Sequence, residues 1–127
     1  MLENGIKGTQ TVTVNEKNTA LAMGSGVLEV FATPAMIALM EETCWRSIAD
    51  ALGEENTSVG TLLEIRHTAP TPVGMNVTCE STLTEVDGRR LVFQVTAYDE
   101  KGTVGEGKHE RFVVQKEKFQ NKANDKR

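Results

Sequence analysis

The sequence predicts an α+β domain in which one long helix lies against a curved antiparallel sheet of about five strands. Apolar residues recur at three- and four-residue steps between Pro34 and Leu52, which is the period of an amphipathic helix. After Gly53 the period changes to two, as in strands with one buried face. Asp87-Gly88 separates two such stretches and is a strong signal for a tight hairpin.

Length and composition place the chain among globular domains. It has 127 residues, of which 39% are hydrophobic and 25% charged, enough for one domain with a real core. The net charge of −4 offers no basic surface to a nucleic acid, and no stretch approaches the ~20 apolar residues of a membrane span. Cys44 and Cys79 lack metal-like spacing and predict reduced thiols. We therefore expect a cytoplasmic protein whose partners include neither nucleic acid nor membrane.

The first half of the chain predicts one strand, a polar connection and the helix. Gly8–Val14 alternates threonine and valine with polar residues, as a strand does, and residues 27–31 form a short extended segment. The polar residues 15–26 between them include two glycines and predict a segment that can move. Thr33 suits the N-cap of the helix, and Pro34 suits the first helical position, where a missing N–H costs nothing.

The second half predicts four strands, at residues 61–67, 73–83, 91–97 and 103–115. We expect a single domain over residues 1–117 and a charged, frayed C-terminal tail over 118–127. A sheet that curls around one helix leaves an exposed edge strand. Such edges commonly pair with a second copy, so the architecture favours a homodimer.

Glu41 is the most informative single residue. It lies in the predicted apolar face, one turn after Ile37 and one turn before Trp45. Lost hydration disfavours the charged form of a carboxylate unless a partner compensates, and such groups serve as general acids and bases. His67 shares a strand face with Leu63 and is expected to point at the helix, where it would pair with Glu41. The alternative for His67 is a core histidine bonded to a backbone carbonyl.

Thr33 is the third candidate, although a threonine at a helix start is structural far more often than catalytic. The N–H groups of Ala35 and Met36, at the positive end of the helix dipole, can polarise a carbonyl and hold an oxyanion. Thr33 and Glu41 lie about 12 Å apart along the helix axis, so they are not neighbours. Both act on one substrate only if it spans them, or if His67 or a second subunit bridges them.

Weaker candidates lie on the last predicted strand. Gly105, Gly107, His109 and Arg111 share one face, and glycines allow the close approach of a helix or a ligand. His109 can border a site there, although a structural or surface role is the more common one. The glycines fit no phosphate loop because no helix follows them, and no cluster of ligands suggests a metal.

Several segments together resemble the hot-dog-fold thioesterases of the fluoroacetyl-CoA thioesterase-like group. The resemblance covers about residues 5 to 117. It rests on these segments: Val30-Phe31-Ala32-Thr33-Pro34-Ala35-Met36, Met40-Glu41, Val59-Gly60-Thr61, His67-Thr68-Ala69-Pro70-Thr71-Pro72-Val73-Gly74, and Gly105-Glu106-Gly107-Lys108-His109-Glu110-Arg111.

The resemblance implies a hot-dog dimer that binds acyl-CoA at the subunit interface and hydrolyses its thioester without a metal or redox cofactor. It implies that Thr33, Glu41 and His67 are catalytic, with Glu41 as general base or nucleophile and His67 as proton relay. Substrate-binding residues are expected in the same segments: Phe31, Ala35, Met36, Met40, Gly60, Gly107, His109 and Arg111.

One segment departs from the family pattern. Ala20–Val30 contains no aromatic residue, whereas selectivity for the small fluorinated acyl group is expected to need aromatic side chains ahead of the helix. We therefore expect an acyl-CoA other than fluoroacetyl-CoA to be the dedicated substrate. A non-catalytic acyl-CoA or small-ligand binding protein and a hydratase are the alternatives on this fold. Whether two dimers pair into a tetramer stays open.

Overall fold

The computed structural model describes residues 2–127 and places one long helix against one five-stranded antiparallel sheet. The elements are β1 (Lys7–Thr13), α1 (Ala20–Met23), α2 (Thr33–Leu52), β2 (Asn56–His67), β3 (Asn76–Asp87), β4 (Arg90–Asp99), β5 (Gly102–Gln115) and α3 (Lys116–Asn124). The strand order is β1-β3-β4-β5-β2, and every neighbouring pair is antiparallel. The predicted fold class is thereby confirmed, and β1 and β2 form the two edges of the sheet.

The core lies between α2 and one face of the sheet. The helix buries six side chains there: Met36, Leu39, Met40, Thr43, Cys44 and Ile48. The predicted buried face was wrong by part of a turn, because Trp45 is 38% exposed and the Glu41 side chain is also 38% exposed. Glu41 and Trp45 instead form a half-exposed ridge on the flank of the helix.

Two glycines let α2 pack closely on the sheet. A Cβ on Gly8 would lie 2.7 Å from the Thr43 carbonyl oxygen and 2.8 Å from the Ser47 Cβ. A Cβ on Gly105 would collide with the Met36 sulfur. Their missing side chains bring the helix backbone and the fully buried Met36 against the strands, which leaves the start of α2 near the end of β2.

The connection before α2 differs from the prediction. Residues 15–26 include the short helix α1, where the Thr19 hydroxyl accepts a hydrogen bond from the Ala22 N–H at 3.1 Å. The extended segment at 27–31 forms no strand and makes only isolated bridges, Thr19 with Phe31 and Val30 with Pro72. Ala32, not Thr33, is the N-cap of α2, and it has no side-chain cap. The Thr33 side chain is free to bond elsewhere as a result.

The prediction of a frayed C-terminal tail was wrong. The chain leaves β5 directly into α3, whose N-cap Gln115 accepts a hydrogen bond from the Lys118 N–H at 2.7 Å. Glu117 in the first turn and Lys122 in the last turn complement the helix dipole. The helix buries no side chain, and a domain boundary at residue 117 stays a prediction.

The edge strand β2 is longer than predicted and irregular. It starts at Asn56, pairs with β5 alone, and changes register between Gly60 and Leu62. Beyond that shift Leu63 is 41% exposed on a strand with one unpaired edge. None of the helices within residues 2–127 is long and apolar enough to cross a membrane.

Candidate active site

The start of α2 and the end of β2 meet in a hydrogen bond between Thr33 and His67. The Thr33 Oγ1 lies 2.8 Å from the His67 Nδ1. Burial lowers the pKa of His67, which favours the neutral imidazole near pH 7. Either the hydroxyl donates to an unprotonated Nδ1 or a protonated Nδ1 donates to the hydroxyl. The other ring nitrogen, Nε2, is buried and finds no hydrogen-bond partner within residues 2–127.

A cavity of about 290 Å³ opens beside this pair. Its lining is mixed: Thr33, His67, Ser25 and Thr68 are polar, and Ala20, Val30, Phe31, Ala69 and Pro70 are apolar. An open cavity with a hydroxyl and a neutral imidazole beside apolar side chains suits a small group that carries a reactive carbonyl. Phe31, expected at the site from the sequence, is therefore a lining residue.

The other residues expected at the helix start serve different purposes. The Met36 N–H donates to the Ala32 carbonyl at 2.9 Å, so it is not a free donor for an oxyanion. The Met36 and Met40 side chains are fully buried in the core and do not line this cavity. Ala35 lines a separate cavity of about 430 Å³ between β1 and α2.

Glu41 faces Arg111, which its neighbours hold rigidly. The Arg111 Nη1 lies 3.6 Å from the Glu41 Oε2. Arg111 is 5% exposed and donates from Nε to the Ser58 Oγ at 2.7 Å and from Nη2 to the Ser58 carbonyl at 2.9 Å. A third bond runs from Nη1 to the His109 Nε2 at 3.0 Å. The guanidinium is thus fixed by three bonds, and its charge is directed at the carboxylate.

His109 supports this arrangement from the core. Its Nδ1 lies 2.9 Å from the Leu62 carbonyl, and donation there leaves Nε2 unprotonated to accept from Arg111. Burial and, to a lesser extent, the Arg111 charge lower the pKa of His109. The alternative considered for His67 was a core histidine bonded to a backbone carbonyl. The structure shows this arrangement for His109 and not for His67.

Gly60 makes room for the Glu41 carboxylate. A Cβ on Gly60 would lie 2.6 Å from the Glu41 Oε2 and 3.2 Å from the His109 Cε1. A Cβ on Gly107 would collide with the Glu64 carbonyl oxygen. Gly107 therefore serves the close packing of β2 on β5, whereas Gly60 leaves space for the Glu41 carboxylate.

With Glu41 in the catalytic role that the family resemblance implies, Gly60→Ala should lower turnover up to about 10²-fold, because the added methyl group displaces the Glu41 carboxylate. The fold should survive, since the clash falls on the mobile end of a side chain and not on backbone. Steady-state kinetics and the melting temperature of the same preparation measure the two effects. Wild-type turnover in a folded variant would contradict the placement of Glu41.

The predicted contact between Glu41 and His67 is not formed within one chain. Glu41 contacts Arg111, and His67 contacts Thr33. Gly60, which lies under Glu41, and His67 are separated by roughly 23 Å of strand at ~3.3 Å per residue. Sequence periodicity predicts which face of a helix or strand a side chain lies on. It does not predict how far apart two such side chains are along the helix axis. The Thr33–His67 pair and the Glu41–Arg111 pair are therefore separate groups in the monomer.

Ser58 is the residue that sequence reasoning missed. It is 6% exposed and satisfies two of the Arg111 donors through its hydroxyl and its carbonyl. A serine in a strand gives no signal of such a role. It is recognisable only from the sheet register, which sets Ser58 beside Val113 with Arg111 two residues earlier on the same face of β5.

The free energy of unfolding should decrease as the pH falls below about 6.5, the usual histidine pKa. His67 and His109 both have lowered pKa values in the folded state, so the unfolded chain binds protons first. Their contribution is complete above the unfolded pKa and is lost as the pH falls through the folded pKa. Urea midpoints from about pH 7.5 to about pH 5 measure this. His67→Gln should flatten part of the slope, and a pH-independent wild type would contradict the burial of both rings.

The comparisons with known proteins agree with this geometry. A family model described as fluoroacetyl-CoA-specific thioesterase matches residues 14–117. The fluoroacetyl-CoA thioesterase of Streptantibioticus cattleyicolor is 45% identical over 98 residues, which cover 77% of this chain and 70% of that protein.

Solved structures extend the similarity over the full length. The fluoroacetyl-CoA thioesterase FlK superposes with a TM-score of 0.94 at 36% identity, covering 100% of this chain and 98% of that one. A variant of FlK in complex with fluoroacetate and CoA gives a TM-score of 0.87 at 37% identity, covering 93% and 99%. A thioesterase superfamily member from Thermus thermophilus gives 0.89 at 26% identity, covering 98% and 93%.

Proposed function

Since this chain belongs to the fluoroacetyl-CoA-specific thioesterase family, we propose that it hydrolyses an acyl-CoA thioester to the free acid and CoA. The observation that carries the proposal is the 2.8 Å hydrogen bond between Thr33 and His67 at the wall of a cavity with polar and apolar lining. A hydroxyl, a neutral imidazole and the positive end of α2 converge there. Together they suit a reaction in which a carbonyl oxygen gains negative charge.

In the proposed reaction the acyl group occupies the cavity and its carbonyl oxygen faces the Thr33 hydroxyl. The positive end of the α2 dipole stabilises the oxyanion of the tetrahedral intermediate. In the general-base route His67, kept neutral by its lowered pKa, receives the proton that Glu41 removes from water and passes it to the departing CoA sulfur. In the anhydride route CoA leaves as the thiolate, and the proton is released when water hydrolyses the anhydride. No metal or redox cofactor takes part.

Glu41 supplies the attack on the carbonyl carbon. As a general base it removes a proton from water, and as a nucleophile it forms an anhydride that water then hydrolyses. Arg111 holds the carboxylate in position in both routes. The contact with Arg111 orients Glu41 in the same way in both routes, so this contact does not distinguish the general base from the nucleophile.

The proposed enzyme is a dimer that pairs along β2. This edge strand carries the exposed Leu63, and the half-exposed ridge of Glu41 and Trp45 lies on the helix flank. A two-fold axis across an edge strand pairs the two copies antiparallel. The Gly60 region of one copy then approaches the His67 region of the other. Glu41 of the partner subunit would complete the site at Thr33 and His67.

The acyl group is proposed to be other than fluoroacetyl. The segment Ala20–Val30, part of which lines the cavity, has no aromatic side chain to close over a two-carbon acyl group. Val27 is 82% exposed and Leu28 64% exposed in this segment, so apolar aliphatic surface is available for a longer chain. The cytoplasmic location stays a prediction.

Release of CoA thiol from a panel of acyl-CoAs tests the proposal. The panel includes acetyl-, fluoroacetyl-, medium-chain, long-chain and aryl-CoA. Wild type should hydrolyse at least one member, with no large preference for fluoroacetyl-CoA over acetyl-CoA. Glu41→Gln/His67→Gln, purified in the same way, reports any contaminating thioesterase. No release from any member, together with tight acyl-CoA binding by calorimetry, would favour the binding-protein alternative.

A further inference from the structure

A cavity far from Thr33 and His67 combines aromatic rings with positive charge. It measures about 520 Å³ and lies between α3 and the end of the sheet. Its functional groups come from Asn56, Arg89, Phe112, Lys118, Phe119 and Lys122. We call it the α3 cavity.

The α3 cavity is positive on a protein that is negative overall. The chain carries a net charge of −4, yet this cavity is lined by three cationic side chains and by no carboxylate. Arg89, Lys118 and Lys122 form no ion pair with any carboxylate in the described part of the chain, residues 2–127. Their charges are therefore available to an anion that enters the cavity.

Two rings lie among these charges. Phe112 is 40% exposed and Phe119 is 43% exposed, so both rings have faces open to a ligand. Phe119 lies three residues before Lys122 on α3, so ring and cation share one side of that helix. Exposed ring faces next to cations suit a planar base that carries phosphates, since bases stack on aromatic rings and phosphates bind Lys and Arg.

We propose that the α3 cavity binds the 3′-phosphorylated adenosine diphosphate end of CoA, an inference that rests on the proposed thioesterase function. The adenine stacks on Phe112 and Phe119. Arg89, Lys118 and Lys122 bind the phosphates. The cavity thus recognises the part of the substrate that is the same in every acyl-CoA, while the chamber beside Thr33 receives the acyl group.

The position of the α3 cavity assigns it to the thioester site of the other subunit. Asn56 borders it at one end of β2, and His67 lies at the other end. The two are separated by roughly 36 Å along the strand at ~3.3 Å per residue, too far for one CoA to bridge within a chain. With the Gly60 region of one copy opposite His67 of the other, Asn56 lies four residues beyond that histidine, so one CoA has to span roughly 13 Å at ~3.3 Å per residue and not ~36 Å.

Comparing an acyl-CoA with the matching S-acyl pantetheine tests the proposal, because only the former carries the nucleotide. In Lys118→Gln/Lys122→Gln and in Phe119→Ala we expect KM for the acyl-CoA to rise about tenfold with kcat unchanged. The kinetics with S-acyl pantetheine should stay within about twofold of wild type, since that substrate makes no contact with the cavity. Calorimetry with adenosine 3′,5′-bisphosphate should show a similar loss of affinity. All three residues are exposed on α3, so the fold should survive.

Lys7→Gln/Lys101→Gln is the matched control, since it removes the same charge away from the cavity. It should leave KM for the acyl-CoA at the wild-type value. An unchanged KM in the Lys118→Gln/Lys122→Gln variant, or an equal loss with S-acyl pantetheine, would overturn the proposal. If the protein hydrolyses neither substrate, the proposed thioesterase function fails. Binding of adenosine 3′,5′-bisphosphate then tests the proposed nucleotide site in the α3 cavity independently. Binding that the cavity substitutions abolish would support it, and binding they leave intact would overturn it.

Discussion

Replacing Glu41 with glutamine is expected to lower kcat by roughly 10²–10⁴-fold, because the amide can neither accept a proton from water nor attack a carbonyl. The shape of the side chain is kept. Arg111 retains its three bonds to Ser58 and His109, so it is not left unsatisfied in the core. The ion pair joins the half-exposed Glu41 to an Arg111 side chain that is only 6% exposed, so losing the carboxylate charge is expected to lower the melting temperature as well. Single-turnover kinetics and a melting curve on the same sample separate chemistry from folding.

Glu42→Gln is the matched control for this substitution. Glu42 is adjacent in sequence, but its carboxylate bonds the Arg46 Nε at 2.8 Å on the exposed side of the helix. Its replacement should leave turnover within about twofold of wild type, since a surface ion pair has little effect on a distant site. Full activity in a folded Glu41→Gln variant would remove Glu41 from the mechanism. An equal loss in both variants would point to α2 as a whole.

Local signals were sufficient to predict the architecture. The change from a three- or four-residue period to a two-residue period separates α2 from the strands that follow. Asp87-Gly88 predicted the hairpin between β3 and β4, which pairs Asp87 with Arg90. The edge strand followed from topology, because a single sheet around one helix must have edges. These features depend on residues close together in the sequence, and the structure confirms them.

Features that depend on distant residues were not predicted. The buried face of α2 is set by the close approach of Gly8 and Gly105, which turns Glu41 and Trp45 to the flank. The helix α3 begins at a side-chain cap from Gln115, which the charged composition of the C-terminal residues did not indicate. A one-dimensional pattern gives the buried face of a helix only to within about one side-chain position, or about 100°, and a rotation of that size decides whether a carboxylate is buried.

The candidate site shows the same division. The catalytic roles of Thr33, Glu41 and His67 stay a prediction, and the predicted contact between Glu41 and His67 is not formed within one chain. Arg111 stood on the predicted face of β5, but its role as the partner of Glu41 needed the register of β2 on β5. Pairing across strands is a tertiary property. A single sequence therefore indicates which residues belong to the candidate site, but not which of them are in contact.

Mixing two inactive variants, Glu41→Gln and His67→Gln, is expected to restore about a quarter of wild-type turnover. Glu41 and His67 do not meet in one chain, so the proposed site takes Glu41 from one subunit and Thr33 with His67 from the other. Random assortment makes about half of the dimers mixed, and each mixed dimer holds one intact site of two. Turnover of the unfractionated mixture of differently tagged, co-refolded chains measures this quarter. Purification by both tags then isolates the mixed dimers, which should show about half of wild-type turnover.

Thr33→Ala combined with His67→Gln is the control for this experiment. These two residues bond each other within one chain, so every mixed dimer carries one defect in each site. No recovery is expected from that combination. Recovery from the first pair alone would show that Glu41 acts across the subunit interface. An inactive mixed dimer in both cases would mean that Glu41 and His67 serve the same chain, and α2 would then have to move relative to β2 for the two to meet.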